Sequence, residues 1–74
     1  MSLAFTEIAS PLIGTVFTIA VHTGDTVVAG QELVIIESMK MEHPVTSDVD
    51  GTIHSILISE GETVTAGQVL ITIL

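Results

Sequence analysis

Laid over itself with an offset of 37 residues, this 74-residue chain repeats. Gly14–Val21 falls on Gly51–Ile58, and Gly24–Leu33 falls on Gly61–Leu70. In the second stretch both glycines, Thr26/Thr63, Val27/Val64, Ala29/Ala66, Gln31/Gln68 and Leu33/Leu70 are identical. Two copies are too few for a solenoid, which buries its core by stacking three or more repeats. The halves are expected instead to clasp each other about a pseudo-twofold axis.

Within each copy the apolar runs are short, rich in Val, Ile and Thr, and broken by glycine-containing turns, a pattern that predicts an all-β fold. Strands are expected near 4–9, 14–21, 26–28, 32–38, 41–46, 51–58, 63–65 and 69–74. The six glycines are expected where the chain reverses, relieving left-handed or otherwise strained backbone. None opens a helix or completes a Walker pattern, so a nucleotide loop is not expected. The apolar positions shared by the copies are Val16/Ile53, Ile19/Ile56 and Val21/Ile58, spaced by three residues and then by two. That slip predicts a bulge or tight bend. With Val27, Leu33, Ile36, Val64, Leu70 and Ile73 they form the expected core, each buried side chain contributing about 1.5–3 kcal/mol. Leu33-Val34-Ile35-Ile36 is apolar at every position, which argues for a strand between two layers and hence a flattened barrel or sandwich.

Size allows one domain over residues 1–74. Cysteine is absent, so packing alone must hold the fold, and a reducing intracellular compartment, cytoplasm or mitochondrial matrix, is expected. The longest apolar run has four residues, far short of the roughly 18 of a membrane span. A soluble chain with no membrane partner is expected. No basic segment precedes an apolar one at the N-terminus, so a secretory leader is not expected. A net charge of −8 repels phosphate backbones, and two Phe without Trp or Tyr offer little to stack on bases. A nucleic-acid partner is not expected on these grounds, whereas basic protein partners suit the acidic surface.

Against nine carboxylates stands a single lysine, Lys40, and no arginine. It falls where the two copies join, in Glu37-Ser38-Met39-Lys40-Met41. If the strands on either side pair antiparallel, Met39 and Lys40 form a two-residue turn. Such turns ask for positive φ, normally supplied by Asn-Gly or Gly-X. A local rule broken once, while glycine serves every other turn, marks a functional tip. A solvated charge that protects a sheet edge is the plain reading of most lysines. Uniqueness, the central position and two flanking thioethers suited to partner surfaces favour an attachment point instead.

These five residues resemble the attachment sequence of biotinyl domains, the carboxyl carriers of biotin-dependent carboxylases. The flanking pattern, with Gly24-Asp25, Val27, Gly30-Gln31 and Leu33 before it and Asp50-Gly51 after it, is similar to that family too. The resemblance implies a flattened β-barrel of two four-stranded antiparallel sheets, with the lysine hairpin at one end and both termini at the other. It implies covalent biotin on Lys40, recognition of Met39 and Met41 by biotin protein ligase and by the carboxylase sites, and a hairpin set by Glu37 and Ser38. It further implies a non-catalytic carrier that shuttles a carboxyl group between biotin carboxylase and carboxyltransferase sites, with an acyl-CoA acceptor suggested by Met41-Glu42-His43-Pro44-Val45. Two departures stand out: Ser38 where alanine is commoner, and Leu12-Ile13 where Met-Pro often follows the equivalent of Pro11.

An alkylammonium in water is almost wholly protonated at neutral pH, and no base is recognisable beside Lys40. Glu37 and Glu42 would favour the charged form, so the ligase must supply deprotonation. Two other readings stay open on the sequence. A lipoyl domain carries its lysine at the same turn, usually after Asp, and an unmodified barrel-hairpin adaptor would make the lysine incidental. His22, His43 and His54 lack metal-ligand spacing or a nucleophile elbow, and His43 is expected to contact partners near the tip.

Overall fold

The computed structural model describes residues 5–74. Within them lie eight strands: β1 (Thr6–Ala9), β2 (Gly14–Ile19), β3 (Thr26–Val27), β4 (Glu32–Ser38), β5 (Met41–Thr46), β6 (Gly51–Ile56), β7 (Thr63–Val64) and β8 (Val69–Ile73). The strands flanking Lys40 have the expected bounds, β1 ends where expected but opens only at Thr6, and the other five end one or two residues early. Residue 4, expected to open the first strand, lies outside the described residues, as do residues 1–3 of the expected domain.

All pairings are antiparallel, in two four-stranded sheets ordered β1-β8-β6-β3 and β5-β4-β2-β7. The 37-residue shift carries β2, β3 and β4 onto β6, β7 and β8, and so exchanges the sheets. Each sheet takes strands from both halves. Neither half can bury its apolar face without the other, which is why two short copies suffice.

Val16, Val21, Val27, Leu33, Ile36, Ile53, Ile58, Val64, Leu70 and Ile73 are buried as expected, joined by Ile8, Val34, Val45 and Ile71. Ile19 and Ile56 are only partly buried and pack on the rim of this core. The expected slip is a real bulge: the β2–β4 register shifts between Val16 and Thr18, and the β6–β8 register between Ile53 and Ser55. The extra residues are Phe17 and His54, both exposed.

Leu33 and Val34 are both fully buried for a different reason from the one the apolar run suggests. The β4–β5 register shifts between Glu32 and Val34, so two consecutive side chains reach the core. Ile35 stays partly exposed, and β4 is not covered on both faces. The equivalent pair, Leu70-Ile71, is buried beside the shift in β1–β8.

Four glycines, Gly24, Gly30, Gly61 and Gly67, occupy the left-handed region at turns, with φ between 88° and 95°. Gly14 and Gly51 do not turn the chain. They open β2 and β6, and their smallness serves close approach. Leu12 packs against the core while Ile13 next to it is exposed, so the departures near the first strand keep one inward side chain.

The path of the chain sets the ends of the molecule. β4 runs toward residues 39–40, and β5 leads away from them to β6, where Thr52 exchanges backbone hydrogen bonds of 2.9 and 3.0 Å with Leu74. The 39–40 turn and the C-terminus therefore lie at opposite ends, with Thr6 of β1 beside Ile73 at the latter.

Candidate functional site

Ser38 and Met41 pair in register and close a two-residue turn, Met39-Lys40. Their φ angles are 53° and 63°. Positive φ at both central positions is the mark of a type I′ turn, whose twist matches that of the strands it joins. Among the described residues these are the only non-glycine positions in the left-handed region. An L side chain there costs roughly 1–2 kcal/mol per residue. The turn is held open against that cost by the β4–β5 ladder below it, which pairs Glu32↔Thr46 through Ser38↔Met41.

The ladder also explains why a proline is tolerated so near. Pro44 lies on β5, an edge strand of its sheet, where a missing N–H does least harm. Ile36, Val34 and Val45 anchor the hairpin in the core at 0%, 0% and 7% exposure. Rigidity at the base thus comes from buried aliphatic side chains, and freedom at the tip from having none.

Met39 is 92% exposed and Met41 62%, and Lys40 is exposed between them. Large apolar side chains left in water at a strand end contribute nothing to folding and suit a surface read by other proteins. No carboxylate lies within ion-pair distance of the Lys40 ammonium among the described residues; the one pair is His22 with Asp25, at 3.8 Å. The expected stabilisation by Glu37 or Glu42 is thus not a direct contact. Glu37 and Glu42 face each other across the ladder, both exposed, with Thr15 continuing the row on β2. Like charges set opposite one another are mildly destabilising and leave a negative shoulder below the apex.

All five predicted site residues are therefore brought together: Glu37 and Ser38 end β4, Met39 and Lys40 form the turn, and Met41 opens β5. Ser38 is half-buried, in keeping with a small residue at the turn's base. The histidines are not brought together. His22 is in the turn before β3, His43 is on β5 and His54 is in the bulge of β6 under the ring of Phe5, 4.4 Å between centroids. His43 pairs with buried Ile36, shares its inner face and is half-buried, leaving less of it for a partner than its position beside Pro44 suggests. Among the described residues no group of three or more side chains could hold a metal ion.

Sequence reasoning missed one residue of the site, Gly14. A Cβ placed on it would lie 2.6 Å from the carbonyl oxygen of Glu37 and 2.6 Å from Cγ2 of Ile36. Its pairing with Gly51 across the repeat was legible, but not that both make strand-to-strand contacts.

The arrangement fits a group that must be covalently attached and then move. It offers one exposed lysine amine on a stiff stem, without an ion pair among the described residues, and with apolar handles on either side. A family model described as "Biotin-requiring enzyme" matches residues 6–73. The methylmalonyl-CoA carboxyltransferase 1.3S subunit of Propionibacterium freudenreichii subsp. shermanii is 58% identical over 36 residues, 49% of this chain and 29% of that protein. The biotin-dependent acyl-coenzyme A carboxylase alpha3 subunit of Mycobacterium leprae is 46% identical over 43 residues, 58% of this chain and 7% of that protein. Among solved structures, the urea carboxylase of Kluyveromyces lactis superposes with a TM-score of 0.92 at 30% identity, over 100% of this chain and 6% of that one. The chain spans less than a third of the length of each of these three.

Proposed function

Because this chain belongs to the biotin-attachment family, whose model it matches from residue 6 to residue 73, we propose that it is the carboxyl carrier of a biotin-dependent carboxylase. The cofactor is biotin, joined to Lys40 as an amide. One observation carries this reading: the only lysine of the chain stands at an exposed tip whose backbone is strained at that place and, among the described residues, nowhere else outside glycine. Met39 and Met41 are the handles by which biotin protein ligase grips the tip. Glu37 and Ser38 set the hairpin beneath them.

In loading, Nζ of Lys40 attacks the adenylated carboxyl carbon presented by the ligase. A C–N bond forms, the C–O bond to AMP breaks with its electron pair leaving on AMP, and the proton of the amine passes to a base of the ligase. The side chain thereby loses its charge and becomes a long neutral tether. When bound, biotin supplies a ureido nitrogen that can carry a carboxyl group. The chain's own part is to keep the tether's root fixed while its end reaches two enzymes in turn, biotin carboxylase and carboxyltransferase. Attachment replaces diffusion by a high effective concentration at each site.

The carrier is non-catalytic in this reading, and its acceptor is an acyl-CoA, as the names of the curated relatives suggest. A reducing, intracellular setting fits a chain without cysteine. The test uses the loaded chain, a biotin carboxylase, ATP and isotopically labelled bicarbonate. The loaded chain is expected to take up one labelled carbon per molecule, and Lys40→Arg none. Uptake by Lys40→Arg, or none by the loaded chain, would overturn the proposal.

A further inference from the structure

We propose that Gly14 is a positioning residue for the loading of Lys40, acting through the end of β4; this rests on the carrier reading above. Gly14 opens β2 opposite Val64, and the next residue, Thr15, pairs with Glu37. It is not in the left-handed region, so its torsion angles do not call for glycine. Space does. Its missing Cβ would sit 2.6 Å from the Glu37 carbonyl oxygen and 3.3 Å from the Glu37 carbonyl carbon. Unstrained carbon contacts need about 3.5 Å or more. The obstacle is backbone, which cannot rotate away as a side chain can. Glu37 is the second residue before Met39, so whatever displaces its carbonyl displaces the base of the turn that carries the amine.

The duplication provides a control inside the same molecule. Gly51, the repeat mate of Gly14, opens β6, and a Cβ there would lie 2.6 Å from Cγ2 of Ile73 and 2.8 Å from the carbonyl oxygen of Leu74. Ile73 and Leu74 are the mates of Ile36 and Glu37. The two glycines thus meet the same kind of neighbours at opposite ends of the molecule, one beneath the lysine and one at the C-terminus. A residue kept small for packing alone would behave alike at both places. A residue that also aims the amine would not.

Gly14→Ala and Gly51→Ala should lower the melting temperature by similar amounts. Only Gly14→Ala should slow loading by biotin protein ligase, with kcat/KM for the folded chain down roughly tenfold. Misplacing reacting groups by about 1 Å costs up to about 100-fold, and the shift needed here is smaller. Rates are taken with the 74-residue chain, ATP and biotin, and referred to the folded fraction measured by circular dichroism. Sucrose, which favours the compact state, is added to all samples if either variant is partly unfolded. The amide signals of Met39 and Lys40 should move in Gly14→Ala and stay put in Gly51→Ala. Equal slowing of both variants, wild-type loading of Gly14→Ala, unequal stability losses, or failure of either to fold in sucrose would overturn the inference. Absence of loading in the wild type would instead strike at the carrier reading, so the two failures are separable.

Discussion

At the scale of single residues, the site is an exchange of stability for display. Met39 and Lys40 hold φ of 53° and 63°, where glycine or asparagine would rest without strain. Met39→Gly is therefore expected to stabilise the domain by about 1 kcal/mol, raising the urea midpoint, while slowing loading because a handle 92% exposed has gone. A variant both less stable and loaded as fast as wild type would contradict both halves of that expectation. The tip was legible from residue types alone: a two-residue link without glycine, between two strand-like runs, around the only lysine. Where Glu37 lies relative to Lys40 was not. A sequence shows that carboxylates are near, but whether a salt bridge closes depends on rotamers at an exposed turn.

Among the elements, the bulges at Phe17 and His54 announced themselves as a slip in apolar spacing, because an extra residue moves every later side chain by one place. The paired burial of Leu33 and Val34 looked like a two-sided strand, since periodicity alone does not distinguish a bulge from double coverage. Ser10 and Ser47 escaped notice for another reason. They lie outside the aligned stretches, yet they are repeat mates, both 2% exposed. Each hydroxyl donates to a carbonyl two residues on, Leu12 at 2.6 Å and Val49 at 2.5 Å, and accepts from the same residue's N–H at 3.4 and 3.2 Å. Alanine at either position strips a partner from part-buried backbone groups, costing about 1 kcal/mol. Ser10→Ala and Ser47→Ala should lower the urea midpoint by comparable amounts with m unchanged, and a loss confined to one of them would show that the symmetry does not extend to these turns.

For the molecule as a whole, the exchange of strands between sheets carries the largest consequence. β1 and β3 belong to one half yet pair with β8 and β6 of the other, and β7 pairs with β2. Peptides 1–37 and 38–74 should each be unstructured by circular dichroism, because each keeps a single ladder, β2–β4 or β6–β8, and loses the four that join the halves. A folded half would mean that the clasp is not what holds the fold. That clasp was legible because a 37-residue duplication in so short a chain leaves no other way to bury both copies. It also places the lysine at the end remote from the C-terminus, where a tether is least hindered by whatever follows.

The claim on which the rest depends is that one amine, at that apex, is the point of attachment. Intact-mass spectrometry of the chain coexpressed with biotin protein ligase, followed by peptide mapping, tests it most directly. The mass should rise by a single amide-linked biotin carried on Lys40, with none on Lys40→Arg, whose circular dichroism should match the wild type. An unchanged mass, or biotin found elsewhere in the chain, would contradict the account.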